Sequence, residues 1–170
     1  MLTLSVACEA IKQGTMRVQD AAMGLDAASQ MQASARKNDG VTYTPWDVAC
    51  QVVAQADPKP SESWLDTSIG RGMFLWATLH HMQDSGASLV DIEDFLHHRL
   101  HAVELNEQAA IDARCLLGAW CEHVGIKPPM RLWLTHADSL SARLPRVDVM
   151  VGNPPYVRIQ HLKDSVRDQM

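Results

Sequence analysis

The stretch Val147-Asp148-Val149-Met150-Val151-Gly152-Asn153-Pro154-Pro155-Tyr156 decides the fold. Its first half is short, apolar and rich in β-branched residues, which is typical of a buried strand in a parallel sheet. Two prolines then end the strand, because proline donates no backbone hydrogen bond and has a fixed φ. Ligands of open α/β sheets bind beyond the carboxyl ends of the strands. The sequence therefore predicts an α/β protein with a stiff, ligand-facing turn at residues 153–156.

The residues of this turn suit chemistry on an exocyclic amine. The nitrogen of such an amine, as in adenine, shares its lone pair with the ring and is a poor nucleophile. The side-chain oxygen of Asn153 and the carbonyl of Pro154 can each accept one amine hydrogen, which localises the lone pair and stabilises the developing positive charge. Tyr156 can stack on a base that has swung out of its helix, at about 1–3 kcal/mol. A rigid turn without chemistry is the alternative interpretation.

The segment that begins at Val151 resembles motif IV of the N6-adenine DNA methyltransferases, and most of all the branch with TaqI-like and Eco57I-like restriction–modification enzymes. Segments similar to four further motifs occur elsewhere in the family's order. The resemblance implies a Rossmann-like methyltransferase sheet, S-adenosyl-L-methionine (SAM) as cofactor and adenine in DNA as substrate. It also implies four catalytic residues: Asn153, Pro154, Pro155 and Tyr156.

A glycine-rich turn follows a short predicted strand at residues 64–66 and precedes a helix predicted from about residue 73 to residue 82. Glycines there let a ligand approach the backbone, and the helix N–H groups point at that ligand. Leu75 stands where a nicotinamide-dinucleotide fingerprint has its third glycine. Asp66, just before the turn, repels a pyrophosphate but suits a sulfonium or an ammonium.

This turn resembles motif I of the same family. Arg71 takes the place of a usually small residue, and we expect its side chain to point to solvent. The resemblance implies that four residues here bind the cofactor: Asp66, Gly70, Gly72 and Phe74.

Tyr43-Thr44-Pro45 precedes a helix that is predicted to run to about residue 56. Thr44 is expected to cap this helix, with Pro45 at the first helical position. An ordinary capped helix is the alternative interpretation. In the methyltransferases a similar segment, motif X, lies against the methionine end of SAM. The resemblance therefore implies cofactor roles for Tyr43, Thr44 and Pro45.

Two more acids follow predicted strands. Glu104 closes a strand at residues 100–105, after which Asn106 caps a helix to about residue 124; such an acid can bind ribose hydroxyls or be an ordinary surface residue. The resemblance to motif II implies that Glu104 binds the cofactor ribose and that Leu105 packs on its adenine. Asp138 follows the third strand, at residues 131–136, and its resemblance to motif III implies a bond to the adenine amino group.

The remaining segments of the sequence predict how the chain is divided into a helical segment and a catalytic core. Residues 1–36 are expected to form two helices, the second broken near Gly24 or starting after it. We expect residues 1–40 to be an N-terminal helical segment and residues 41–170 to be a SAM-binding catalytic core that lacks its C-terminal half and target-recognition domain. The resemblance to the methyltransferases implies the order 3-2-1-4 for its four strands. Residues 158–170 are charged and helix-forming.

Composition limits the function classes. The 170 residues are 46% hydrophobic with a net charge of −5, which describes a globular protein without a basic field for nucleic acid. The four cysteines form no Cys-x-x-Cys pair, and the chain has no signal peptide or long apolar span, so we expect a cytoplasmic protein without membrane association. The histidines lack a metal-ligand spacing, so no metal site is predicted.

The fourth strand is expected to leave a buried edge unpaired. We therefore expect its partner to be the remaining C-terminal half or another chain that completes the sheet, and DNA to be bound by the full-length enzyme. The 170-residue chain alone is expected not to methylate DNA specifically. Two other functions stay open: a non-catalytic SAM-fold module that binds a protein partner, and a methyltransferase for protein glutamine or RNA.

Overall fold

The computed structural model describes residues 2–33, 44–130 and 132–154. These residues form an α/β fold with an N-terminal pair of helices, as predicted. The elements in chain order are α1 (Leu4–Lys12), α2 (Val18–Ala33), α3 (Trp46–Ala56), β1 (Trp64–Asp66), α4 (Met73–Asp84), α5 (Leu89–His98), β2 (Leu100–Glu104), α6 (Glu107–Val124), β3 (Leu134–His136) and β4 (Val149–Val151).

The four strands form one sheet in the order β3-β2-β1-β4, which confirms the predicted order 3-2-1-4. All neighbouring strands are parallel. Asp66 at the end of β1 is opposite Val151 at the end of β4, and Glu104 at the end of β2 is opposite His136 at the end of β3. The carboxyl ends of all four strands therefore lie at one edge of the sheet.

The core is built around β1 and α4. Trp64 and Leu65 are fully buried, and α4 is buried from Met73 to Leu79, as expected of a helix enclosed by other elements. Buried residues of α1 and α2, among them Ile11 and Leu25, belong to the same hydrophobic cluster as those of the sheet. No helix within the described ranges is long and apolar enough to cross a membrane.

The predicted break at Gly24 is wrong, because α2 runs without interruption from Val18 to Ala33. Gly24 instead makes room for the N-terminus: a Cβ at this position would lie 2.7 Å from Leu2 Cδ2. The helix tolerates a glycine, which costs about 1 kcal/mol relative to alanine, because that close packing needs it.

Two strands are shorter than predicted. β4 begins at Val149 because Asp148 uses its carboxylate to bind the chain next to β1: Oδ2 accepts from Ser63 N (2.8 Å) and Ser63 Oγ (2.6 Å). β3 begins at Leu134, after an exposed Leu132. The predicted cap of α6 is confirmed, since the Asn106 side chain accepts from Ala109 N.

Candidate functional site

Asp66 closes β1 and is fully buried beneath the carboxyl edge of the sheet. Its Oδ1 accepts a hydrogen bond from Ser68 N (2.9 Å), whereas its Oδ2, like Ser68 Oγ, has no hydrogen-bond partner among the described residues. Burial raises the pKa of Asp66 to about 7; the Ser68 N–H opposes this and the nearby charge of Glu104 adds to it. An unpartnered oxygen on a buried carboxyl group is costly unless something pairs with it.

The glycine turn after β1 is joined to the acid that closes β2. Gly70 has a positive φ of 55°, and its N–H donates to Glu104 Oε2 at 2.7 Å. The other carboxylate oxygen of Glu104 accepts from Asn106 N, also at 2.7 Å. Gly72 has a φ of 92°, a conformation that an L side chain rarely adopts, and it leads directly into α4. Glu104 therefore holds two turns of the edge together and remains half-buried.

The turn after β4 lies against the turn after β1. A Cβ at Gly152 would be 3.1 Å from Asp66 Oδ1 and 3.5 Å from Thr67 Oγ1, so only glycine fits here without displacing its neighbours. The next residue, Asn153, is half-buried, and its Nδ2 donates to Thr44 Oγ1 at 3.3 Å. The segments that resemble motifs I, IV and X therefore meet at one place.

The contact with Asn153 explains why the predicted cap of α3 is wrong. Thr44 does not cap the helix; Pro45 occupies the N-cap position and makes no capping hydrogen bond with its side chain. The hydroxyl of Thr44 instead accepts from Asn153. The predicted end of α3, at Ala56, is confirmed.

The predicted orientation of Arg71 is also wrong. Its side chain is 6% exposed and points into the protein, where it pairs with two acids on different helices. Nη1 donates to Asp26 Oδ1 (2.6 Å) on α2, and Nε donates to Asp112 Oδ2 (2.7 Å) on α6. The two flanking glycines, Gly70 and Gly72, allow the backbone turn that directs this side chain inward.

The edge formed by β2 and β3 is more open. Leu105 is 65% exposed directly after Glu104, and Leu140 is 91% exposed two residues after Asp138. Asp138 is itself exposed, and its Oδ1 accepts from Leu140 N at 3.0 Å, which shapes the local turn. This part of the edge offers apolar surface and hydrogen-bond acceptors to a ligand.

Residues 28–169 match the family described as N-6 DNA Methylase. The chain belongs to this family. It is 31% identical to the Type II methyltransferase M.BstVI of Geobacillus stearothermophilus over 116 residues, which cover 60% of this chain and 21% of the relative. This N-6 DNA methylase chain therefore spans about a fifth of the length of that relative.

The fold of the N-6 DNA methylase chain has a counterpart of known structure. The crystal structure of a modification subunit of a putative type I restriction enzyme from Vibrio vulnificus YJ016 has a TM-score of 0.57 and 24% sequence identity, over 80% of this chain and 28% of that one. At 24% sequence identity, this similarity shows that the two chains share a fold and shows nothing further.

The carboxyl edge of the sheet brings together most of the predicted site residues that are described. Phe74 differs from the other predicted site residues, because its side chain is 6% exposed and belongs to the hydrophobic core. Tyr43, Pro155 and Tyr156 lie outside the described residues, so their roles stay predictions. In the described ranges, no group of three or more His, Cys, Asp or Glu side chains is placed to hold a metal.

Sequence reasoning missed two residues of the site. Ser68 carries an unpartnered hydroxyl beside Asp66, and Gly152 provides the close contact between the two turns. A glycine between a buried strand and the Asn-Pro-Pro turn was a visible signal for such a contact. Ser68 had no signal, because a serine is common in any turn.

Proposed function

We propose that this chain binds SAM at the carboxyl edge of its sheet and transfers the methyl group to the N6 amine of adenine in DNA, as part of a restriction–modification or related defence system. The observation that carries the proposal is the contact between the turns after β1 and β4. Gly152 packs on Asp66, and this packing sets Asn153 beside the proposed cofactor turn. A methyl donor in one turn can then reach an amine in the other.

The residues present fit SAM. The unpartnered Asp66 Oδ2 offers a buried negative partner for the methionine ammonium. Glu104 has two oxygens, each with one accepted hydrogen bond, and a carboxylate oxygen can accept a second from a ribose hydroxyl. Leu105 and Asp138, both exposed, remain the proposed contacts of the adenine ring and its amino group. When bound, SAM supplies an electrophilic methyl group on a sulfonium sulfur.

Asn153 is proposed to prepare the amine for attack. Because Nδ2 donates to Thr44 Oγ1, the amide is oriented with Oδ1 available to accept a hydrogen from the amine, and the Pro154 carbonyl accepts the other. Bound SAM would supply the methyl group, and the oxygens of Asn153 and Pro154 would hold the amine nitrogen with its lone pair directed at that group, the sulfonium sulfur leaving with the electrons of its bond to the methyl carbon. The methylated amine then loses its extra proton to solvent, so no strong base is required.

DNA recognition is proposed to need more than the described residues. Within them, β4 pairs only with β1 and leaves its other edge open, with Met150 60% exposed. An open apolar strand edge favours pairing with further strands. The net charge of −5 also disfavours tight binding of DNA by this chain alone. We propose that further residues or a partner chain complete the sheet and read the target sequence.

Calorimetric titration of the 170-residue chain with SAM tests the cofactor part of this proposal. We expect binding in the micromolar range. A folded sample that takes up no SAM contradicts the proposal and favours a non-catalytic module.

The transfer step is tested in the enzyme that contains this chain together with its DNA-reading part. Asn153→Ala should abolish methylation and retain SAM binding, while Asn153→Asp, which keeps an accepting oxygen, should retain part of the activity. Loss of SAM binding in Asn153→Ala would remove Asn153 from the catalytic role. Sequence-specific methylation by the 170-residue chain alone would refute the need for a further part.

A further inference from the structure

Arg71 connects the proposed cofactor turn to two helices through a buried cluster. Besides its bonds to Asp26 and Asp112, its Nη2 donates to Ser29 Oγ at 2.9 Å. Asp112 is held in turn by Gln108, whose Nε2 donates to Oδ1 at 2.9 Å. The Arg71, Asp26 and Asp112 side chains are all less than a tenth exposed. We call these residues the Arg71 cluster.

Stability alone is a weak reason for such a cluster. Desolvation of buried charges opposes their attraction, and apolar residues of similar size often replace a buried ion pair without loss of stability. What apolar residues do not supply is direction. Three hydrogen bonds fix the planar guanidinium in one orientation, and the orientation of the side chain fixes the backbone that carries it.

That backbone is the proposed SAM-binding turn. Arg71 lies between Gly70 and Gly72, both with positive φ, so without restraint this would be among the most mobile parts of the chain. The Arg71 carbonyl accepts from Trp76 Nε1 at 2.9 Å, and the Gly70 N–H binds Glu104. The cluster therefore restrains the turn from one side while the proposed ribose-binding acid restrains it from the other.

Two partners of Arg71 come from the N-terminal helices. Asp26 and Ser29 lie three residues apart on α2 and so face the same direction. Neither belongs to the segments that resemble methyltransferase motifs.

We infer that Arg71 is a positioning residue through which α2 and α6 hold the glycine turn in its SAM-binding shape. The inference rests on the proposed function. On this inference, helix α2 raises the affinity for SAM without contacting it, because Asp26 holds Arg71 and Arg71 holds the glycine turn.

The test compares two acids of the same helix in the 170-residue chain. Asp26→Asn removes the negative charge that Arg71 pairs with and leaves only a weaker, neutral acceptor, whereas Asp20→Asn does the same to the exposed pair between Asp20 and Arg17. If the turn then holds its binding shape only a tenth of the time, the Kd for SAM rises about tenfold in Asp26→Asn, and it stays unchanged in Asp20→Asn. Arg71→Lys should bind SAM better than Arg71→Met, because it keeps a donor for the acids.

Reversible unfolding raises the apparent Kd just as a misplaced turn does. The Kd values are therefore compared at a temperature at which circular dichroism shows both variants to be fully folded, so that a raised Kd reports the turn and not global stability. Equal Kd values for Asp26→Asn and Asp20→Asn would overturn the inference while leaving the proposed function intact. If Asp26→Asn does not fold, Ser29→Ala removes a single bond of the cluster and should raise the Kd by a smaller factor.

Amide hydrogen exchange gives an answer that does not depend on SAM. Without cofactor, Asp26→Asn should speed exchange at Gly70 and Gly72 relative to Asp20→Asn, because these amides lose the restraint of the cluster. Unchanged exchange at both glycines would overturn the inference even if the wild-type chain binds no SAM.

Discussion

The two halves of the carboxyl edge differ in how much their proposed ligand-binding residues are exposed to solvent. At β1 and β4, Asp66 is fully buried, and its carboxylate is close enough to Gly152 that a Cβ would sit 3.1 Å away. At β2 and β3, Leu105 is 65% exposed and Asp138 lies on the surface. The first, packed half is built around a fully buried acid that the facing turn contacts, whereas the residues named in the second, open half are exposed to solvent.

This difference suggests how the proposed site divides its work. Methyl transfer requires the donor and the amine to be aligned within a fraction of an ångström, so rigid packing is useful where they meet. Recognition of a nucleoside needs mainly surface to cover and a few acceptors, which an open edge provides. We therefore expect substitutions in the packed half to affect SAM binding more than those in the open half.

Asp66→Asn should produce the largest effect. An amide cannot neutralise the ammonium, and the loss of a buried charge-assisted hydrogen bond costs about 1.5–3 kcal/mol, so the Kd for SAM should rise about ten- to a hundredfold. Asp138→Asn, which changes an exposed acid of the open half, is the matched control with a smaller expected effect. Equal Kd values for the two variants, measured by calorimetry, would erase the proposed difference between the halves.

Gly152→Ala should weaken SAM binding about tenfold. The added methyl group meets Asp66 Oδ1 at 3.1 Å, and overpacking of this kind costs about 1–3 kcal/mol as the two turns move apart. Gly118→Ala on α6 is the control, because nothing lies within 4 Å of its added Cβ. If Gly152→Ala binds SAM as the wild type does, the two turns are not held together by this contact.

The raised pKa values of the buried acids should also make the free energy of unfolding depend on pH. Burial raises the pKa of Asp66 to about 7 and that of Asp26 to about 6, although Arg71 lowers the latter. An acid with a raised pKa binds more protons folded than unfolded, so its stabilising contribution is present at low pH and lost as the pH rises through the folded pKa. Without SAM, the free energy of unfolding should fall by up to about 1.4 kcal/mol per pH unit between pH 6 and 7.

Denaturant unfolding at a series of pH values measures this slope. Asp66→Asn should remove most of the slope and leave the smaller contribution of Asp26. The variant should equal or exceed the wild type in stability at pH 8, where the wild-type carboxylate is charged. An undiminished slope in Asp66→Asn would contradict the assignment to Asp66.

Leu105→Ala should have the smallest effect. Its side chain is already 65% exposed, so truncation removes only the packing on a bound adenine, about 1 kcal/mol or less, and the Kd should rise a few-fold. Leu132→Ala, an exposed leucine before β3, is the control and should leave the Kd unchanged. A larger effect for Leu105→Ala than for Gly152→Ala would reverse the comparison.

The sequence alone predicted the parts of the fold that depend on local patterns. The cap at Asn106, the end of α3 at Ala56 and the order of the four strands are confirmed, since capping chemistry and family motifs leave little choice. Gly24 led to the wrong prediction of a helix break. The residue packs closely against Leu2, and no helix signal in the sequence reveals a contact of this kind.

The site was harder to predict where it depends on tertiary contacts. Thr44 before Pro45 has the pattern of a helix cap, but its hydroxyl binds Asn153, which lies 109 residues later. Arg71 takes the place of a usually small residue, which predicts a side chain that points to solvent, but its two acids lie 45 and 41 residues away on α2 and α6. A local sequence pattern does not reveal contacts between residues that are 41 to 109 positions apart.

We propose that the turns after β1 and β4 form a single SAM site. Titration of the isotope-labelled chain with S-adenosylhomocysteine, followed by amide NMR shifts, tests this most directly. If both turns bind the same ligand, the amide signals of Gly70, Gly72, Gly152 and Asn153 shift together with one common Kd. Shifts at Gly70 and Gly72 without any at Gly152 and Asn153, or shifts confined to other parts of the chain, would contradict it.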